Sequence, residues 1–198
     1  MAQTDRTYIA FFGNGGEDDP AHPDTDLFQK ILTWTGRSID EFWFTHRNDK
    51  AAVAAFDLKL KELLRADMAS RMKKSRNVLV VLGKPPTLLS KRLGDWMDNE
   101  ISYAVDECKL PLIVAYTDVH TPIIQPGVDS DIAKYWPNAL RSRVINQIAG
   151  AIHIPFQPGP LKTAVDYFSP YAFPNDGSLG WYTEDTYASW DLLHPKVA

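Results

Sequence analysis

The sequence predicts a doubly wound α/β domain, and three observations carry that prediction. Strand-like apolar runs alternate with segments of helical periodicity through five β-α units. The central runs are almost unbroken in Val, Leu and Ile, the pattern of parallel strands covered on both faces. A length of 198 residues suits one domain with a substantial core.

Y-I-A-F-F-G (8–13) reads as the first strand, followed by a helix with Leu27, Phe28, Ile31 and Leu32 on one face that stops at Gly36. E-F-W-F-T (41–45) is the second strand, and its helix carries Phe56, Leu60, Leu63, Leu64, Met68 and Met72. N-V-L-V-V-L-G (77–83) is the third strand. In the helix after it, Met97, Ile101, Ala104, Val105 and Cys108 form the apolar stripe, with Asp95 as N-cap and Lys109 with Pro111 closing the far end. P-L-I-V-A-Y-T (111–117) is the fourth strand, and a polar, proline-bearing stretch leads from it to Pro137 and a helix with Leu140, Val144 and Ile148. A-I-H-I-P-F (151–156) and L-K-T-A-V-D-Y-F (161–168) complete the alternation. Residues 1–169 are thus expected to form the α/β domain. Residues 170–198 form an extension rich in aromatics, prolines and acids, whose Trp181, Tyr182, Tyr187 and Trp190 should pack on the domain or on a partner.

Composition narrows the function classes. A net charge of -4 gives no reason to expect nucleic acid as a partner. The single cysteine, Cys108, lies on the core stripe, so no disulfide framework exists, as suits a reducing compartment. The amino terminus lacks the apolar run of a signal peptide, and no stretch approaches the roughly 20 apolar residues that span a bilayer. The expectation is a soluble, cytoplasmic protein without membrane contact. The five histidines are scattered without metal-ligand spacing, so no metal site is expected. No G-x-S-x-G follows a strand, which argues against a serine hydrolase.

If the strand order is 2-1-3-4-5, as in flavodoxin-like sheets, the ligand crevice opens at the carboxyl ends of strands 1 and 3. The bordering segments are G-N-G-G-E (13–17) and G-K-P-P-T (83–87). The first lacks the third glycine of a dinucleotide fingerprint, Asp18 standing there between Glu17 and Asp19. The second lacks the upstream glycine of a P-loop, leaving Lys84 as a solvated lysine or a single charge toward a ligand phosphate. Glu100 lies near this crevice on a helix row with Trp96, Tyr103 and Glu107, at the edge of the apolar stripe, and is expected to be half-exposed.

The order of S-R-N-V-L-V-V-L-G, then W-M-D-N-E-I-S-Y-A, then L-P-L-I-V-A-Y resembles the core of a TIR domain, over about residues 5–117. With its size and aromatic tail, the chain is similar to the stand-alone bacterial TIR-like proteins of the Thoeris anti-phage type. The resemblance implies a TIR-like fold and an enzyme that consumes NAD+ as substrate, with no other cofactor. It assigns the catalytic carboxylate of W-x-x-x-E to Glu100 and substrate contacts to Phe12, Gly13 and Asn14, beside which Gly83 and Lys84 at the crevice border and Trp96 and Tyr103 on the helix row are the further candidate contacts. It further implies self-assembly or a phage-derived trigger, and a downstream effector that senses the product.

The chemistry suits the residue. Nicotinamide leaves the cationic pyridinium of NAD+ as a neutral molecule, so the bond needs no acid, only negative charge near the ribose as oxocarbenium character develops. The start of the helix should keep Glu100 ionised, and Trp96 and Tyr103 could exclude water and stack on a flat ring. Two other classes stay open: a non-catalytic TIR-like assembly or adaptor module, and a deoxyribosyltransferase-like nucleotide-binding protein, which also sets a carboxylate at a ribose.

Overall fold

The computed structural model describes residues 5–12, 23–44, 58–83, 90–172 and 177–193. Five strands form one all-parallel sheet: β1 (Arg6–Phe12), β2 (Phe42–Phe44), β3 (Ser75–Leu82), β4 (Leu112–Tyr116) and β5 (Ala151–Pro155), in the order β2-β1-β3-β4-β5. The order reverses between β1 and β3, whose register runs from Thr7 opposite Asn77 to Phe12 opposite Leu82. The architecture is consistent with a flavodoxin-like fold.

The two-residue period of the strands sorts the core into two layers. Tyr8, Ala10, Val78, Val80, Leu82, Val114 and Tyr116 face one way. They meet Met68 and Met72 of α2 (Leu58–Met72), Trp96, Met97 and Ile101 of α3 (Ser90–Ser102), and Leu140 and Val144 of α4 (Asn138–Ile145). Ile9, Leu79, Val81, Ile113, Ile152 and Ile154 face the other way. Their partners are Leu27, Phe28 and Ile31 of α1 (Pro23–Thr35) and Leu161, Ala164 and Val165 of α5 (Pro158–Tyr167). Helices thus cover both faces, as right-handed crossovers on either side of the switch point require. Gly36, at φ 68°, donates its N–H to Leu32 O and ends α1 in a left-handed turn that a side chain would strain.

Several expectations need correction. α3 begins at Ser90, so Asp95 lies inside the helix and is not its N-cap; the charged S-K-R-L-G-D stretch hides that first turn from an apolar-period reading. The helix then widens into a π-helical turn, Tyr103–Glu107, closed by Cys108 N–H on Tyr103 O at 3.1 Å. Lys109 follows at φ 55°, and Leu110 N–H caps Ala104 O at 2.9 Å. Cys108 therefore sits half-buried at the end of that turn rather than deep on the stripe, and partial burial raises its thiol above the usual range. Leu63 is 67% exposed and Ile148 59% exposed, because the apolar face of α2 is narrower than expected and α4 ends at Ile145. Phe56 lies outside the described residues.

Residues 177–193 run along the outer edge of β5 and end in a short helix, α6 (Glu184–Ala188). Ala151 N–H donates to Gly177 O, Gly180 N–H to Ala151 O at 2.8 Å, and His153 N–H to Gly180 O at 2.9 Å, so part of the sheet edge is paired. A Cβ on Gly180 would stand 2.8 Å from Ala151 O, which ties this approach to glycine. Tyr187 is wholly buried, and Tyr182, Tyr187 and Trp190 meet edge to face with centroids 5.2 to 6.4 Å apart. Among the described residues no helix is long and apolar enough to cross a membrane.

Candidate functional site

The parallel pairing of β1 with β3 brings Phe12 beside Leu82, so the chain leaves both strands at one point on the carboxyl edge of the sheet. Gly83, immediately after β3, is buried there. Gly13, Asn14 and Lys84, and the side chain of Phe12, lie outside the described residues.

α3 runs back from this edge across β1, and its inward row carries Trp96 and then Glu100. Glu100 is 0% exposed, not half-exposed at a helix edge, and Tyr8 Oη donates a 2.7 Å hydrogen bond to its Oε1. Burial follows from helix placement: α3 packs against β1 within the apolar layer that the β3 side chains share, so the row beside the apolar stripe is covered as well. The helix-start argument for Glu100 also needs correction. A helix dipole acts within the first turn, and Glu100 lies well beyond it in a helix that begins at Ser90. What faces the carboxylate is a phenol from β1.

Trp96 is 6% exposed and its Nε1 has no hydrogen-bond partner among the described residues. Tyr103 is half-buried at the start of the π-helical turn, one turn past Glu100 and farther from the carboxyl edge. Trp96 and Glu100 thus stand one turn apart on the inward row of α3, and Tyr103 lies deeper along the helix. Asp98 does not simply face away, since its Oδ1 accepts from Ala139 N–H at 2.7 Å and satisfies the first turn of α4. Glu107 is exposed.

A second polar assembly lies on the same sheet face, at β4. Trp136 Nε1–H donates to Tyr116 Oη at 2.6 Å, Tyr116 Oη lies 2.7 Å from His153 Nδ1, and His153 Nε2 lies 3.0 Å from Ser178 O. A carbonyl can only accept, so Nε2 carries the proton and Nδ1 accepts from the tyrosine. Burial holds His153 neutral, its pKa pushed down to about 4, and pushes the Tyr116 phenol up. This relay joins β4, β5, residue 178 of the C-terminal segment and the end of the connection between β4 and α4. That connection encloses an open cavity of about 550 Å³, with Asp118, His120, Ile123, Ile132, Lys134 and Tyr135 in its lining. Tyr187 Oη donates to Ile123 O at 3.3 Å and supports the wall from the C-terminal segment.

Reading the sequence alone missed Tyr8, the relay and the cavity. Tyr8 counts there as one more apolar strand residue, and the bonds that single it out span 92 positions in the chain. The prolines of the β4 connection mark a loop and carry no sign of a cavity. Among the described residues no group of three or more His, Cys, Asp or Glu could hold a metal ion. No family model matches the chain, and no curated protein matches it.

Proposed function

We propose that this chain is a TIR-type enzyme that breaks the nicotinamide-ribose bond of NAD+ and passes ADP-ribose to an acceptor, making a signal, cyclic or not, in anti-phage defence. The observation that carries the reading is Glu100, a carboxylate buried beside the switch point of a flavodoxin-like sheet. Burying a carboxylate in an apolar layer opposes stability even when it is hydrogen-bonded, so a functional role accounts for it better than packing does. The pattern W-M-D-N-E, in which Trp96 precedes Glu100 by one turn, supports the same assignment.

In this reading the C1′–N bond breaks with its electron pair going to nicotinamide, which leaves neutral. Glu100 offsets the positive charge that develops on the ribose. An acceptor oxygen or nitrogen bonds to C1′ and loses a proton. Trp96 and Tyr103 exclude water around the ring, and Phe12, Gly13, Asn14, Gly83 and Lys84 border the substrate. Because Glu100 is wholly buried in the isolated chain, substrate reaches it only after the groups that cover it move. Turnover therefore depends on self-assembly or a phage-derived trigger, and the product acts on a downstream effector.

The burial of Glu100 also favours a second reading, a non-catalytic TIR-like assembly module in which the Tyr8–Glu100 pair is structural. Nicotinamide release from NAD+, followed by mass spectrometry over a range of protein concentrations, separates the two. Release that rises more than in proportion to concentration is the expected result. No release at any concentration favours the module, and undiminished turnover by a dilute monomer counts against the trigger.

A further inference from the structure

We propose that the cavity at the carboxyl end of β4 binds the ADP half of the dinucleotide, an inference that rests on the NAD+-cleaving reading above. Its walls Ile123 and Ile132 belong to the same apolar layer as Tyr8, Trp96 and Ile101, so cavity and carboxylate share one face of the sheet. β1, β3 and β4 are consecutive, so at about 4.8 Å per strand β4 lies roughly 10 Å across the sheet from β1, and Tyr8, the partner of Glu100, stands four residues before Phe12, about 13 Å from the carboxyl edge at roughly 3.3 Å per residue. A molecule with two ribosides joined by a pyrophosphate is long enough to bridge that offset from the edge down to the carboxylate, whereas a single nucleoside is not.

The lining matches the chemistry of that half. A volume of about 550 Å³ falls within the range that accommodates ligands of this size. Ile124, 37% exposed, and the half-buried Val119, Pro122 and Tyr135 present apolar surface to the cavity for the faces of a purine, over the buried Ile123 and Ile132. Asp118 is exposed at the rim, where a carboxylate accepts from a ribose diol as the acidic residue of dinucleotide folds does. Lys134 supplies a positive charge for phosphate. Its contact with Asp131 is a 3.8 Å pair between exposed side chains, which is cheaply exchanged for a ligand.

The site is also held in shape before any ligand arrives. The connection from Thr117 to Pro137 is on the order of twenty residues, with a single 3-10 helix, Asp131–Tyr135, near its end and no regular structure before it, a length that usually has a functional reason. Its wall is fixed by Tyr187 Oη on Ile123 O, and its far end by Trp136 in the relay with Tyr116 and His153. A cavity fixed in this way loses little entropy on binding.

Titration calorimetry of the full chain with ADP, and separately with nicotinamide mononucleotide, tests the assignment. Asp118→Asn and Lys134→Ala alter exposed side chains and are expected to fold as the parent does. Each should weaken ADP at least about tenfold, the scale of one charged hydrogen bond, whereas nicotinamide mononucleotide, whose half of the site is closed in the resting chain, should bind neither parent nor variants. Failure of the parent to bind ADP, unchanged ADP binding in both variants, or nicotinamide mononucleotide binding that both variants weaken equally overturns the proposal. Nicotinamide release is measured on the parent alone and judges the other reading: ADP binding through Asp118 and Lys134 without release removes NAD+ cleavage and keeps the cavity assignment.

Discussion

Tyr8 on β1 and Glu100 on α3 meet through a 2.7 Å hydrogen bond between two fully buried side chains. The bond crosses from sheet to helix beneath the point where the strand order reverses. A carboxylate so placed is expensive to desolvate unless its partners are kept. Its neighbourhood therefore controls both stability and any chemistry it performs.

Replacing Glu100 separates these two roles. Glu100→Ala leaves the Tyr8 hydroxyl buried without this acceptor and opens space, and should destabilise by about 1–3 kcal/mol. Glu100→Gln keeps an acceptor oxygen and should melt close to the parent. Nicotinamide release by the Gln variant should nonetheless fall at least about a hundredfold, the scale for removing one group aimed at a transition state. Glu107→Ala is the exposed control, whereas Asp98→Ala is not one, because Asp98 caps Ala139. Release by Glu100→Gln at the parent rate would make the assembly-module reading the better one.

Tyr8→Phe removes the donor and leaves the ring. If the pair holds Glu100 away from substrate, a dilute sample of this variant should release nicotinamide faster than the parent, at a stability cost of about 1–3 kcal/mol. A slower rate with an unchanged melting curve would instead make Tyr8 a group that positions the carboxylate for turnover.

The sheet was legible because it is written in local composition: Val78 to Leu82 and Leu112 to Tyr116 are unbroken apolar runs, and those are the central strands. Gly36 likewise marked the end of α1 through its left-handed backbone. The environment of Glu100 was not legible, since a helix wheel gives the angle of a side chain but not how far the sheet reaches around it. The π-helical turn after Ser102 has no composition of its own, and the first turn of α3 is masked by charge. His153 read as a lone histidine because its partners Tyr116, Trp136 and Ser178 come from three distant segments.

Gly180→Ala tests how firmly residues 177–193 hold the edge of β5. The added methyl would press on Ala151 O at 2.8 Å and force apart the backbone bonds on either side. Loss of about two such bonds at roughly 1 kcal/mol each should lower the urea midpoint and expose Trp181 and Trp190, seen as a red shift of tryptophan emission. An unchanged midpoint and spectrum would mean that this edge contributes little to the fold.

His153 should make stability fall with acidity in a defined window. Its folded pKa is depressed to about 4 from the ordinary imidazole value of 6.5, chiefly by burial. The unfolded chain therefore takes up a proton that the folded chain refuses between those values. Above pH 6.5 the histidine has no effect on the pH dependence; as pH falls toward 4 stability is lost, and below 4 its contribution is flat. The full loss is on the order of 3 kcal/mol. Asp166, where burial pushes the carboxyl up but the Lys162 and Arg37 partners together hold it lower, adds its own loss only below the ordinary carboxylate value of 3.8, outside this window. Urea denaturation at pH 7 and at pH 4.5 should show the difference, and His153→Gln, less stable at pH 7, should show a markedly smaller one. A parent protein equally stable at both pH values would mean that the ring is reached by water and protonates without breaking its bonds to Tyr116 and Ser178.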